Sequence, residues 1–92
     1  MNDQTKEILI ILQEECAEVI VDISKCFRFG PDQMMEGTTL TNIARLEKEL
    51  GDLQAMIQLL VKQKVGVSQD GIHQAKLAKF EKLKLYSNIK IK

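Results

Sequence analysis

The sequence predicts an all-α fold, an antiparallel bundle of three main helices in one domain of residues 1–92. Apolar residues recur with a period near 3.6 along most of the chain, which is typical of helices with one buried face. Hydrophobic residues make up 45% of the chain but aromatic residues only 4%, so the apolar content is aliphatic and suits helices packed on helices. Turn signals are too few for an all-β chain.

The first helix is predicted from Asp3 to about Phe29. Asp3 or Thr5 can cap its start, since both residue types accept a hydrogen bond from the first turn. Gly30 and Pro31 end it, because glycine suits the position just past a helix and the residue before proline avoids the α region. A connection over residues 30–38 follows.

The second helix is predicted from Leu40 to about Val65, with Thr39 or Thr41 as its cap and Gly66 at its end. The third begins at Ser68 or Asp70 and continues through Tyr86, and the last few residues form a tail. In the connection between the first two helices, Met34 and Met35 either pack against the helices or cover a ligand.

The length of the chain and the distribution of its charges predict that the bundle is completed by homo-oligomerisation. A chain of 92 residues buries only a modest share of its surface, so a second copy is expected to cover part of its aliphatic residues. Residues 1–52 carry a balance of −6 and residues 53–92 a balance of +6. This asymmetry indicates either self-complementary surfaces or a site that holds cations on one side and phosphates on the other.

The formal net charge of zero gives no support for a nucleic-acid polymer or a membrane as partner. No apolar run reaches the roughly 18 residues of a membrane span, and no signal peptide is evident. Cys16 and Cys26 are too far apart on one helix to bridge, and are expected to be small core hydrophobes. Two unpaired cysteines indicate a reducing compartment, so a cytoplasmic location is predicted.

Carboxylates three residues apart occur once on each of the first two helices: Glu15 with Glu18, and Glu49 with Asp52. Residues at this spacing lie on one helix face. In an antiparallel hairpin, equal distances from the turn put Glu18 beside Glu49 and Glu15 beside Asp52. The sequence therefore predicts four carboxylates at one level of a helix pair.

The segment around the second pair reads Leu-Glu-Lys-Glu-Leu-Gly-Asp-Leu over residues 46–53. Leu46, Leu50 and Leu53 are expected to hold it in the core. Gly51 costs roughly 1 kcal/mol relative to alanine within a helix. We interpret that cost as the requirement of a group that approaches the helix closely there.

An all-oxygen donor set without cysteine or histidine favours Mg²⁺, with Mn²⁺ as the second candidate, over zinc. Magnesium is usually held by a few carboxylates together with substrate phosphates, so such a site suits a nucleotide. Asp22 is either a helper ligand or an ion-pair partner of Lys25. The only histidine, His73, has no E-x-x-H companion, which argues against a di-iron carboxylate bundle.

Glu15-Cys-Ala-Glu18, followed about thirty residues later by Glu49-Leu-Gly-Asp52, resembles the E-x-x-E…E-x-x-D signature of the all-α nucleoside triphosphate pyrophosphohydrolases, the MazG-like group. The likeness covers roughly residues 7–60, and the lysine-bearing last helix is also typical of that group. One copy of the motif is similar to the compact, single-domain members.

The resemblance implies Mg²⁺-dependent hydrolysis of nucleoside triphosphates, often deoxynucleotides, to the monophosphate and pyrophosphate, for nucleotide-pool housecleaning. It implies a metal held by Glu15, Glu18, Glu49 and Asp52, in a homodimer or homotetramer. One of Glu15 and Glu18 is the candidate base that activates water. Lys25, Lys76 and Lys79 are candidate phosphate ligands, although each can equally be a solvated lysine.

Two alternatives stay open at the level of sequence. A phosphoribosyl-ATP pyrophosphohydrolase would use the same metal chemistry on a different nucleotide. A non-catalytic helical interaction protein would use its acidic stripe to dock a basic partner.

Overall fold

The computed structural model describes residues 1–91, and over this range the chain is all-helical, with three helices and no strand. Helix α1 spans Asp3–Phe29, α2 spans Asn42–Lys62 and α3 spans Gln69–Tyr86. The predicted all-α class is therefore confirmed for the described residues. Lys92, the last residue of the predicted tail, lies outside them.

Helix α1 is capped at both ends. The Asn2 carboxamide oxygen accepts a hydrogen bond from the Thr5 N–H at 2.7 Å. The predicted caps, Asp3 and Thr5, were therefore wrong, because the cap is Asn2, one residue before Asp3 and three before Thr5. Asparagine caps a helix as well as aspartate does. Thr5 is instead buried, and its hydroxyl donates to Gln63 Oε1 at 2.9 Å. At the other end, Gly30 adopts a positive φ of 93°, as expected for the residue just past a helix.

The connection from α1 to α2 covers residues 30–41 and is fixed by its own backbone hydrogen bonds. Three of them close it, namely Met35 N–H to the Leu40 carbonyl (2.8 Å), Asn42 N–H to that of Gln33 (2.9 Å) and Ile43 N–H to that of Pro31 (2.9 Å). Thr41 then caps α2 by accepting from the Ala44 N–H at 3.1 Å. Helix α2 ends at Lys62 rather than at Val65, because Lys64 already leaves the helical region with φ of 57°.

Helices α1 and α2 pack extensively against each other. Thr5, at the start of α1, contacts Gln63 just past the end of α2. At the opposite end, the Asn42 carboxamide nitrogen donates to the Gly30 carbonyl at 2.9 Å. The contacts thus join the start of each helix to the end of the other, which brings the carboxylate motifs of the two helices to the same region.

The apolar core of this helix pair is small. Ile8 and Leu60 are the two buried hydrophobic residues within the described range. Leu46 and Leu53 are half-buried, but Leu50 is 42% exposed, so the expectation that all three leucines lie in the core was wrong. The side of α2 that is most buried carries polar residues, including Asn42 and Glu49, and Leu50 points elsewhere.

Helix α3 has no buried residue and packs extensively with neither α1 nor α2. It exposes four large side chains, Leu77, Phe80, Leu85 and Tyr86. The described chain is flat, measuring 40 × 38 × 15 Å along its principal axes.

Within residues 1–91, none of the helices combines the length and apolarity that crossing a membrane would require. Both cysteines are free thiols. Cys26 is half-buried, but Cys16 is exposed, so Cys16 is not the core residue that the sequence predicted.

Candidate metal centre

Three of the four predicted carboxylates come together between α1 and α2. Glu15 projects from α1, and Glu49 and Asp52 project from α2, with one oxygen of each lying within 4.8 Å of the others. Glu49 is buried, whereas Glu15 and Asp52 are half-buried. We call Glu15, Glu49 and Asp52 the carboxylate cluster. Oxygen ligands from three side chains, two of them open to solvent, suit a hard divalent cation.

Glu18 lies outside the carboxylate cluster and is exposed. Residues three apart on a helix differ by about 60° around its axis, so both cannot face a neighbouring helix equally. Glu15 takes the facing position beside Glu49, and Glu18 falls at the edge. The predicted pairing of Glu18 with Glu49 is therefore not formed, although Glu18 remains close enough for its charge to raise the pKa of Asp22.

Two cations on α2 balance part of this negative charge. Arg45 Nη2 lies 2.6 Å from Glu49 Oε1, and Lys48 Nζ lies 3.1 Å from Asp52 Oδ2. Neither Arg45 nor Lys48 was predicted from the sequence. The sequence did contain a signal for these ion pairs, because each basic residue precedes its carboxylate partner by four residues, the spacing at which helical side chains meet.

Asp22 is the fourth carboxylate of this region, at 2% exposed. Arg45 Nε lies 3.7 Å from its Oδ2, which accepts no hydrogen bond within the described residues. Burial raises the pKa of Asp22, and the charges of Arg45 and Lys25 offset part of that effect. Asp22 thus shares the Arg45 guanidinium with Glu49, while Lys25 acts on it through its charge.

Glu15 is the least compensated member of the carboxylate cluster. Its Oε2 is buried but accepts no hydrogen bond within residues 1–91. The adjoining Glu49 carboxylate, loss of hydration and the charge of Asp52 all raise the pKa of Glu15. Glu15, Asp22, Glu49 and Asp52 carry four negative charges against the two positive charges of Arg45 and Lys48. A divalent cation would cancel this excess and occupy the orphaned oxygen, so the residues present fit one.

The predicted phosphate ligands have different surroundings. Lys25 is half-buried on α1, one turn beyond Asp22. Lys76 and Lys79 are exposed on α3, which does not pack extensively on the helices that carry the carboxylate cluster. Of the three predicted phosphate ligands, Lys25 is the one whose charge lowers the pKa of Asp22.

Gly51 lies on α2 beside the cluster, yet a Cβ at this position would meet no heavy atom within 4 Å. The close approach expected there is not made by the described part of the chain itself. Gly51 instead borders an open groove along α2, together with Ile43, Leu46 and Leu50.

No family model matches the chain, and neither the curated proteins nor the solved structures yielded a match. The assignment of function therefore depends on the chemistry of the carboxylate cluster and on the motif spacing in the sequence.

Proposed function

We propose that this protein is a Mg²⁺-dependent nucleoside triphosphate pyrophosphohydrolase of the MazG-like type. The observation that carries the proposal is the carboxylate cluster, in which Glu15 from one helix meets Glu49 and Asp52 from another within 4.8 Å. These are three of the four residues of the E-x-x-E…E-x-x-D motif. Mn²⁺ is the second candidate metal, because it prefers the same oxygen ligands.

The proposed reaction adds water to the α-phosphorus and breaks its bond to the oxygen that bridges to the β-phosphate. The products are a nucleoside monophosphate and pyrophosphate. When bound, Mg²⁺ would neutralise the polyphosphate and polarise the α-phosphoryl group. Glu15, Glu49 and Asp52 would hold the metal, and Lys25 would meet a phosphate.

Glu18 has one of two roles in this proposal. Its exposed carboxylate can turn toward the substrate to accept the proton of the attacking water, or it can complete the ligand set. A Glu18→Gln variant separates the two. A lower kcat at an unchanged Mg²⁺ requirement indicates the base, whereas a raised Mg²⁺ requirement with recovery at high Mg²⁺ indicates a ligand.

The proposal includes an antiparallel helical bundle that is completed in a homodimer or homotetramer. Large apolar side chains are exposed on all three helices, and exposed apolar patches of this kind mark protein–protein contacts. The open groove beside Gly51 would let a second copy approach α2 closely. Lys76 and Lys79 would then bind phosphates of a nucleotide held at the carboxylate cluster of a partner. The assembled enzyme would act in nucleotide-pool housecleaning in the cytoplasm.

One observation favours the rival of a non-catalytic interaction protein. Helix α3 presents apolar and basic side chains with almost no packing in its own chain, as a docking helix would. Arg45 and Lys48 also neutralise part of the acidic stripe without any metal. Measuring whether the protein hydrolyses any nucleotide therefore distinguishes an enzyme from a docking protein.

The test is release of pyrophosphate from the eight common nucleoside triphosphates and from phosphoribosyl-ATP, with Mg²⁺, Mn²⁺ or EDTA. Glu49→Gln and Glu15→Gln are expected to lose activity by at least a hundredfold. Glu14→Gln and Glu7→Gln are matched controls, because both glutamates are exposed on α1 and outside the carboxylate cluster. Turnover of phosphoribosyl-ATP alone would favour that narrower activity.

Absence of turnover with every nucleotide would refute the enzyme and leave the interaction protein. Equal loss in the control variants would show that the carboxylate cluster is not the site. The assembly is tested separately by light scattering at micromolar concentration, where a monomer would contradict it.

A further inference from the structure

A cavity of about 410 Å³ lies where the end of α1, the connection 30–41 and the start of α2 meet. Its apolar wall consists of Phe29, Met34 and Met35, and its polar wall includes Lys25 and Asn42. The volume falls within the range of ~300–1,000 Å³ that is usual for small-ligand sites. The wall also includes Gln33 and Glu36, so polar and apolar residues line the cavity in similar measure, which suits a flat, partly polar ring system.

The walls of the cavity are held in place by contacts within the chain. The connection that carries the two methionines is closed by the Met35 N–H to Leu40 carbonyl hydrogen bond at 2.8 Å. Asn42 is 4% exposed, and its carboxamide nitrogen donates to the Gly30 carbonyl at 2.9 Å. This hydrogen bond fixes the orientation of the amide and leaves the oxygen as the atom that can accept from a ligand. A wall that is ordered before binding lowers the entropic cost of binding.

The cavity and the carboxylate cluster lie on the same two helices, α1 and α2, at different levels along them. Along α1, Lys25 is ten residues from Glu15, or about 15 Å at 1.5 Å per residue. Along α2, Asn42 is seven residues from Glu49, or about 10 Å. Asp22 and Arg45, which contact each other, lie between the two ends.

Along the α1–α2 pair the order is therefore the acidic cluster, then the mixed charges of Asp22 and Arg45, then the cavity with its apolar wall. A nucleotide bound to a metal has the complementary order: the phosphates meet the metal, and the base lies at the far end. Arg45, at 29% exposed, and Lys25 would face the sugar–phosphate portion between them.

We propose that this cavity binds the nucleobase of the nucleotide whose phosphates lie at the carboxylate cluster, with Phe29 as the stacking residue. The inference rests on the proposed function. It adds a specificity site built from Phe29, Met34, Met35 and Asn42, contributed by the same chain that supplies Glu15 and Glu49.

Methionine methyl NMR tests the base site without turnover. The chain has four methionines, of which Met34 and Met35 line the cavity while Met1 and Met56 do not. Protein labelled with ¹³C at the methionine methyls is titrated with each of the four common deoxynucleoside 5′-monophosphates, in the absence of metal. 2-Deoxyribose 5-phosphate serves as the ligand without a base.

The monophosphates are expected to shift the Met34 and Met35 signals through the ring current of the base, and to leave Met1 and Met56 unchanged. 2-Deoxyribose 5-phosphate is expected to leave all four signals unchanged. No shift with any monophosphate at millimolar concentration, or equal shifts with the base-free ligand, would overturn the proposal.

A substitution pair gives a second, independent measurement. Phe29→Leu removes the stacking ring from the cavity, and Phe27→Leu is its matched control, because Phe27 is 87% exposed and does not line the cavity. Every nucleobase can stack on an aromatic side chain, so loss of the ring in Phe29→Leu should weaken monophosphate binding about tenfold. Equal affinities in the two variants would overturn the role of Phe29.

The failure of this proposal is distinguishable from failure of the proposed function. Methyl shifts without pyrophosphate release would retain the base site and reject the enzyme. Pyrophosphate release without methyl shifts would retain the enzyme and reject the base site.

Discussion

Replacing Arg45 by methionine removes the one cation that two buried carboxylates share. Its guanidinium lies 2.6 Å from Glu49 and 3.7 Å from Asp22, and each of these carboxylates is 2% exposed. Loss of one partner from a buried ion pair costs about 3–5 kcal/mol. Arg45 itself is 29% exposed, so water can relieve part of the loss. We therefore expect Arg45→Met to lower the free energy of unfolding by roughly 2–3 kcal/mol.

The assay is urea and thermal unfolding followed by circular dichroism. For a domain of this size, a loss of 2–3 kcal/mol lowers the melting temperature by roughly 10–20 °C. Lys48→Met is the matched control, because Lys48 and Asp52 form an ion pair at the same four-residue spacing with both partners about half exposed. An exposed pair of this kind contributes less than about 1 kcal/mol.

Equal losses in the two variants would refute the reasoning, since burial is the main difference between the pairs. A second arm varies the pH. The deficit of Arg45→Met is expected to shrink under acidic conditions, where protonation neutralises Asp22, whose pKa burial raises and Arg45 lowers. A deficit that is independent of pH would mean that the variant lost packing rather than charge compensation.

Three further changes test other parts of the fold. At a concentration low enough to dissociate any assembly, Gly51→Ala is expected to stabilise the chain by about 1 kcal/mol in urea unfolding, because a Cβ there meets no heavy atom within 4 Å. At higher concentration a loss is expected, because the proposed second copy approaches α2 at this position. Asp22→Asn is expected to be more stable than the unmodified protein near neutral pH. Burial raises the folded-state pKa of Asp22 above its ordinary 3.8, so the fold favours the neutral carboxyl, and thermal melts should show the advantage shrinking as the pH falls toward that value. Asn2→Ala is expected to cost about 1 kcal/mol in urea unfolding, because it removes the cap of α1, and a melt identical to that of the unmodified protein would contradict that role.

Periodicity and caps were enough to predict the three helices, because both depend on residues close in sequence. The end of α1 followed from Gly30 and Pro31. Thr41 was one of the two predicted caps of α2, which begins at Asn42 rather than at Leu40. The end of α2 could not be read from Gly66 in the same way. Lys64 adopts a positive φ, which is uncommon for a residue with a side chain, and no pattern in the sequence predicts it.

The rotation of side chains around each helix was harder to predict than their depth along it. Counting from the turn brought the two motifs to the same level, but it could not tell that Glu15 faces α2 while Glu18 faces solvent. That choice depends on the angle at which the whole helix is packed. The same limit explains Leu50, which an apolar pattern assigns to the core although its side of α2 has no neighbour in the chain.

The lack of packing of helix α3 within the described chain should be measurable by circular dichroism. Most helical stability in proteins comes from tertiary contacts, and α3 has no buried residue to provide them. Its 18 residues make up about a quarter of the helical residues in the described chain. If another molecule supplies the missing contacts, dilution should remove about that fraction of the ellipticity at 222 nm before the α1–α2 pair unfolds. The far-ultraviolet spectrum of this protein would then report its state of association, with α3 as the indicator.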